Sequence, residues 1–260
     1  MPYSTLKLEF TGELATITFT RPEKRNAISE AMIADLMSAF YEVETHSARV
    51  LILTGAGKAF CSGMDLDELN AAATRTPSEH LENSRRLARL YRRIWSFPKP
   101  TIAAVNGAAI AGGCGIATLC DFTICVPQAN FGYPEVRIGF LPAVVSVFLT
   151  RQIGEKGARD LLLTGRTVTA EEALRLGLVT QIVPAPELMS AARVVAEQLL
   201  AGSPLSLLKT KKLLCEFAAT EVDQNLELAT AESAAMRSTA DFREGLVSFL
   251  EKRPPNWRPK

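Results

Sequence analysis

Histidine is scarce in this chain, and its scarcity excludes much chemistry. Among 260 residues only His46 and His80 occur. Each sits in a polar stretch, so both are expected at the surface, and a histidine-based triad or metal centre has little to work with. No CxxC pair is present. Cys61, Cys114, Cys120, Cys125 and Cys215 are an odd set in apolar surroundings, and they read as buried thiols in a reducing compartment. Charge of one sign is also missing: 29 basic against 28 acidic residues leave a net charge of +1. That argues against a nucleic-acid stripe or a membrane-surface face. No apolar run is long enough to cross a bilayer. The opening MPYSTLKLEF lacks a charged segment followed by an apolar one, so no secretory signal is expected, and the expected location is cytoplasmic.

What is present is enough length to bury a large core, as one domain or a domain with an appendage. The organising stretch is Thr101 to Gly115, TIAAVNGAAIAGGCG. A β-branched run (Thr101, Ile102, Val105) meets Asn106-Gly107, and the small cluster Ala111-Gly112-Gly113 precedes apolar Ile116, Ala117 and Leu119. The pattern predicts a strand, a tight turn and the start of a buried helix. Glycines at a helix start let another group approach the backbone, and the free N–H groups there favour an anion or an oxygen that becomes one. The same small residues equally suit close helix–sheet packing.

Before it, Leu6 to Thr20 alternates around Thr11-Gly12-Glu13 and predicts a β-hairpin. Ser29 is placed to cap a helix whose apolar face is Met32, Leu36, Phe40 and Val43. Arg49 to Thr54 reads as a buried strand, and Phe60 to Leu66 as a turn into a helix. Thr74 to His80 reads as a mobile surface loop. Leu81 to Trp95 reads as an amphipathic helix with five arginines, a solvated face rather than a nucleic-acid helix. Beyond the organising stretch come a strand near Phe122 to Val126 and an extended piece from Asn130 to Val136. Helices follow over Val144–Ile153, Lys156–Leu163 and Thr169–Leu176, then a strand over Leu178–Val183. From Glu187 only helices appear, broken near Gly202-Ser203-Pro204 and at Arg237 to Asp241. Strand and helix alternate in the first two-thirds and helix fills the rest, so an α/β core with a helical C-terminal appendage is expected.

These pieces, in this order, resemble the crotonase family, the enoyl-CoA hydratase/isomerase superfamily. The likeness rests on Arg21-Pro22…Asn26-Ala27, Leu53-Thr54-Gly55…Ala59-Phe60-Cys61-Ser62-Gly63-Met64-Asp65-Leu66 and Ala103-Ala104-Val105-Asn106-Gly107…Gly112-Gly113-Cys114. It continues through Phe131-Gly132…Pro134-Glu135-Val136…Gly139, Leu163-Thr164-Gly165-Arg166 and Ala170…Glu172-Ala173…Gly177-Leu178-Val179. The resemblance implies an α/β fold: a spiral of ββα turns over residues 1–200, and a C-terminal helical trimerisation region over 201–260. It implies homotrimers or homohexamers, an acyl-CoA thioester substrate, and no separate cofactor or metal, coenzyme A being part of the substrate.

The resemblance assigns two backbone N–H donors for the thioester oxygen to Met64 and Gly112, and an acid/base to Glu135. Apolar neighbours should raise the pKa of Glu135 towards working pH; read from composition alone, it is a carboxylate paired with Arg137 or Arg151. Lys24, Ala27, Asp65, Leu66 and Lys252 match the family's coenzyme A contacts. One position departs from the best-known hydratases, which carry a second glutamate where this chain has Gly115. Glycine there also resembles hydratases of 3-methylglutaconyl-type esters, as does Glu135-Val136-Arg137-Ile138-Gly139-Phe140-Leu141-Pro142-Ala143. In place of a Gly-rich stretch, Ala143-Val144-Val145-Ser146-Val147 should reshape the acyl pocket. Asp65, Asp67 and Tyr133 are candidates for a second acid. The leading expectation is an enoyl-CoA hydratase. A Δ3,Δ2-enoyl-CoA isomerase and a non-catalytic acyl-CoA- or RNA-binding member are the alternatives.

Overall fold

After an opening hairpin, strands come in pairs along the chain, and the two members of a pair enter different sheets. The computed structural model describes residues 3–71 and 75–257. The hairpin β1 (Leu6–Thr11) and β2 (Leu14–Phe19) opens a six-stranded sheet, continued in parallel by β3 (Val50–Gly55), β5 (Thr101–Val105), β7 (Phe122–Cys125) and β10 (Gln181–Ile182). The intervening β4 (Ala59–Cys61), β6 (Ala108–Ile110) and β8 (Asn130–Gly132) run parallel in a second sheet, closed by the antiparallel β9 (Thr167–Thr169). A ββα unit climbs one step and repeats, so each turn stacks on the last. Leu51, Ile52, Leu53, Ile102, Ala103 and Ala104 are buried on both faces of the larger sheet, which is why these strands lack polar alternation.

Helices fill the steps. Ser29 accepts from Met32 N–H and starts α1 (Glu30–Thr45), with Met32, Leu36, Phe40 and Val43 inside. After α2 (Leu66–Ala71), α3 spans Pro77–Trp95. The expected surface loop from Thr74 to His80 is therefore overturned from Pro77 onward, Thr74 itself lying outside the described residues. Thr76 and Glu79 form a capping box and proline occupies the first turn, a start signal read instead as loop composition. His80 is consequently buried, contrary to expectation, whereas His46 is exposed and stacks on Phe10.

The organising stretch holds one element more than expected: β6 intervenes between the turn and α4 (Gly112–Leu119). Pro134–Ile138 is a 3-10 turn rather than extended chain. Gly154 interrupts α5 (Ala143–Thr164), and Gly165 ends it in the left-handed region. After α6 (Ala170–Leu176), the strand expected over Leu178–Val183 shrinks to β10. The helices α7 (Leu188–Leu200), α8 (Pro204–Glu216), α9 (Ala219–Met236) and α10 (Ala240–Leu250) complete the chain. α7 packs on the larger sheet, α9 on α3 and α5, and α10 on the turn at Pro134–Ile138. That last contact is close: a Cβ on Gly245 would stand 2.2 Å from the Ile138 carbonyl. No described helix is long and apolar enough to cross a membrane.

Candidate active site

Two backbone corners meet at the edge of the smaller sheet. Gly63, with φ 92°, turns the chain after β4, and a Cβ there would lie 2.8 Å from Ala111 Cβ and 3.7 Å from Gly112 N. Met64 follows in a parallel bridge with Ile28, in which Ile28 N–H donates to Gly63 O (2.7 Å) and Asp65 N–H to Ile28 O (2.9 Å). The bridge uses the groups on either side of Met64 N–H and leaves that donor without a partner among the described residues. On the facing corner Ala111 adopts φ 52°, ψ −126°, a region a non-glycine residue occupies only under strain. This bend starts α4 at Gly112, whose N–H lacks an intrahelical acceptor by position. Two free donors therefore stand on adjacent corners, backed by the N-terminal end of a buried helix.

Gly112 is held from behind. Tyr91, fully buried on α3, donates its hydroxyl to the Gly112 carbonyl at 2.8 Å. Burial pushes the Tyr91 phenol well above its ordinary pKa, with Glu135 nearby adding to the effect. Nothing in the arginine-rich pattern of α3 distinguishes Tyr91 from any apolar-face residue, so sequence reasoning passed over it.

Glu135 sits in the first turn of Pro134–Ile138, behind β8. Its Oε2 is out of solvent with no hydrogen-bond partner. Burial raises its pKa to about 7. Neither expected arginine takes it: Arg151 pairs with Glu221 at 2.9 Å, and Arg137 is exposed. The other acids close to it are Tyr91, Tyr133 and Cys114, each raised by burial, the Cys114 thiol to about 12. Glu135 is thus the group in this cluster that changes charge near neutral pH.

The position of Gly115 explains the missing second carboxylate. A Cβ built there would lie 2.9 Å from Val145 Cγ1 and 3.4 Å from the Tyr91 ring. Of the suggested second acids, Asp65 is buried and bound to Arg21 at 2.8 Å, while Asp67 is exposed and paired with Lys24. Burial opposes the charge on Asp65, but hydrogen bonds from Arg21 and the α2 backbone outweigh it and hold the carboxyl below its ordinary value. Tyr133 is buried, its hydroxyl 3.5 Å from Thr118 Oγ1.

The expected coenzyme A contacts divide. Arg21 also donates to the Ala27 carbonyl at 2.8 Å, and Asn26 bridges the carbonyls of Ala56 (2.9 Å) and Ala59 (2.8 Å). Ala27, Asp65 and Leu66 therefore lie in one cross-braced rim beside Met64, with Lys24 at its exposed edge. Lys252 is apart from this rim, exposed beyond α10 at φ 54°.

Comparison with known proteins agrees with this architecture. Residues 9–260 match the family described as enoyl-CoA hydratase/isomerase. A Thermus thermophilus protein given as a candidate enoyl-CoA hydratase is 42% identical over 247 residues, covering 95% of this chain and 98% of its own. The crotonyl-CoA hydratase of Syntrophomonas wolfei is 33% identical over 263 residues, covering both chains in full (100% each). The crystal structure of an enoyl-CoA hydratase/isomerase from Xanthobacter autotrophicus superposes with a TM-score of 0.89 at 31% identity, covering 96% of this chain and 97% of that one. With its paired-strand spiral and its sequence match in agreement, this chain belongs to the enoyl-CoA hydratase/isomerase family.

Proposed function

We propose that the protein is a hydro-lyase that adds water reversibly to a 2-enoyl-CoA thioester, using Glu135 as its one proton-transfer group. Glu135 carries the reading: a buried carboxylate with a free oxygen and a pKa near 7 takes and returns a proton with little penalty either way. The thioester oxygen accepts from Met64 N–H and Gly112 N–H. The Glu135 carboxylate takes a proton from water as the water oxygen bonds to C3 of the enoyl group. The C2–C3 π pair moves toward C2, and negative charge gathers on the thioester oxygen between the two donors. Losing such a donor typically costs about 2.7–4 kcal/mol of barrier. Glu135, now protonated, delivers the same proton to C2, and the enolate collapses to the 3-hydroxyacyl thioester. One water supplies both the hydroxyl and the proton, from one face of the double bond.

The finer reading is a branched substrate of the 3-methylglutaconyl-CoA type, supported by the glycine at 115 and by Val145 beside it. The rim of Lys24, Ala27, Asp65 and Leu66 is proposed to pass coenzyme A, with Lys252 reaching phosphates from elsewhere in an assembly. A homotrimer or homohexamer is proposed for the assembled enzyme. Exposed Leu205, Leu213, Leu214 and Phe217 on and after α8 support a covered face there.

The test is to incubate the protein with straight-chain 2-enoyl-CoA esters and 3-methylglutaconyl-CoA and to weigh the products. A gain of one water is expected. A product of unchanged mass with a moved double bond would make the protein an isomerase, in which Glu135 carries a proton between C2 and C4. Tight acyl-CoA binding without turnover of any ester would make it a binding member of the family.

A further inference from the structure

Arg237 follows α9 and is only 6% exposed, yet its guanidinium makes no hydrogen bond or ion pair with any described residue. Its Nε is buried without an acceptor. A buried cation is normally paired, because leaving it alone forfeits its hydration. Arg237 instead lies over the Phe140 ring, 5.2 Å from its centre, a contact that satisfies the flat face of the guanidinium but none of its N–H groups. Phe140 is tied to the reaction centre, since its N–H donates to the Glu135 carbonyl at 2.9 Å. A second unsatisfied atom lies close by: Nδ1 of buried His80 has no partner either. Burial and the charge of Arg237 keep that imidazole below its ordinary pKa.

Arg237 lines a narrow cleft together with Met64, Glu68, Leu69, Arg75 and Arg86. Met64 joins this cleft to the donor corner, its N–H on one side and its side chain on the other. Glu30 takes Arg75 at 2.6 Å, Arg86 is shared between Glu30 at 3.7 Å and Glu82 at 3.5 Å, and Glu68 accepts from Glu30 N–H at 2.9 Å. Of the three arginines lining the cleft, Arg237 is the one with no ion pair to a described residue. The free room is about 20 Å³, about one water's worth, so a larger group enters as the flexible Met64 side chain yields.

We propose that Arg237 is a terminal subsite for an acyl chain that ends in a carboxylate. The subsite rests on the acyl-thioester reading above and narrows it to enoyl esters of dicarboxylic acids. A distal carboxylate accepts from the Arg237 guanidinium, neutralises its charge and lies along the Phe140 face. An acyl chain ending in methyl leaves Arg237 buried and unpaired, and a site built to hydrogen-bond a missing group rejects the analogue strongly.

Binding and turnover test this separately. Calorimetry with glutaryl-CoA and pentanoyl-CoA, saturated esters of equal length that cannot be hydrated, reads the subsite even if the proposed reaction is wrong. Glutaryl-CoA is expected to bind at least about 100-fold more tightly. Turnover of glutaconyl-CoA against 2-pentenoyl-CoA should show the same preference in kcat/KM. In Arg237→Met the ratio between the two esters should fall close to one, while Arg237→Lys keeps part of it. Equal affinity of the wild type for both saturated esters would overturn the subsite, and so would an unchanged ratio in Arg237→Met. If Arg237→Met fails to fold, the wild-type comparison still decides. Failure of every enoyl ester to react, with the glutaryl preference intact, would remove the hydratase reading and leave the subsite standing.

Discussion

Val145 stands where a side chain on residue 115 would have to go: its Cγ1 is 2.9 Å from the position of a Cβ on Gly115. The absent carboxylate and the bulkier residue are one packing solution, so restoring glutamate alone should fail. Gly115→Glu forces an overpacked side chain and a charge into a filled space, and should cost at least about 3 kcal/mol. Gly115→Glu combined with Val145→Gly should recover much of that loss. Thermal unfolding of these two variants and of Val145→Gly alone measures it, and additive losses in the double variant would contradict the shared space.

In the proposed mechanism Glu135 links activity to pH. With its pKa near 7, hydration needs the ionised form and should decline as pH falls below about 7. Glu135→Gln should lose most turnover while retaining acyl-CoA binding. Near-wild-type rates in that variant would remove Glu135 from the chemistry.

The same burial makes Glu135 a stability cost. An acid whose folded pKa lies above its unfolded value of 4.5 binds its proton more tightly when folded. Its ionisation therefore weakens the fold progressively between pH 4.5 and about 7, and fully above that range. The shift corresponds to roughly 3 kcal/mol. Glu135→Gln should accordingly melt higher than wild type at pH 8 and close to it at pH 4.5, as denaturation at the two pH values would show.

Tyr91 is a positioning residue, since its hydroxyl reaches the Gly112 carbonyl and no solvent. Tyr91→Phe should cost about 1 kcal/mol of stability. It should also lower kcat roughly tenfold through a displaced donor, with KM nearly unchanged. An equal effect on KM, or none on kcat, would leave Tyr91 with a packing role only.

Asp65 braces the rim beside Met64 through Arg21. Asp65→Ala strands a part-buried guanidinium and should cost about 3 kcal/mol, with a raised KM for acyl-CoA as the rim loosens. Because the folded carboxyl titrates below its ordinary value, the stabilisation is present at neutral pH and is lost on acidification through that low pKa. Chemical denaturation at pH 7 and pH 3 should show the variant's deficit shrinking at the lower pH.

Local chemistry made the elements legible. Ser29 as a cap, Gly154 and Gly165 as helix breaks, and the unalternated run before Thr54 each act within a few residues of their own position. Where local signals conflicted, reading failed. Thr76, Pro77 and Glu79 have loop composition, yet together they form a helix start, and His80 was carried inside with them. The turn at Pro134–Ile138 carries the composition of extended chain, because proline and glycine mark a break without naming its shape.

The sequence by itself determined the buried strands of the larger sheet and the helical C-terminal third, because apolar patterning and turn residues act locally; the order of its motifs carried the family, and with it the expected spiral and the candidate roles of Met64, Gly112 and Glu135. Only the tertiary structure decided what surrounds them. It put Tyr91 behind Gly112, Val145 in the space beside Gly115, and an unpaired Arg237 within reach of Phe140. These neighbours come from helices far apart in the chain, and their meeting depends on how α3, α5 and α9 pack around α4. Side-chain volume and buried charge are settled only when such distant segments share one dry space.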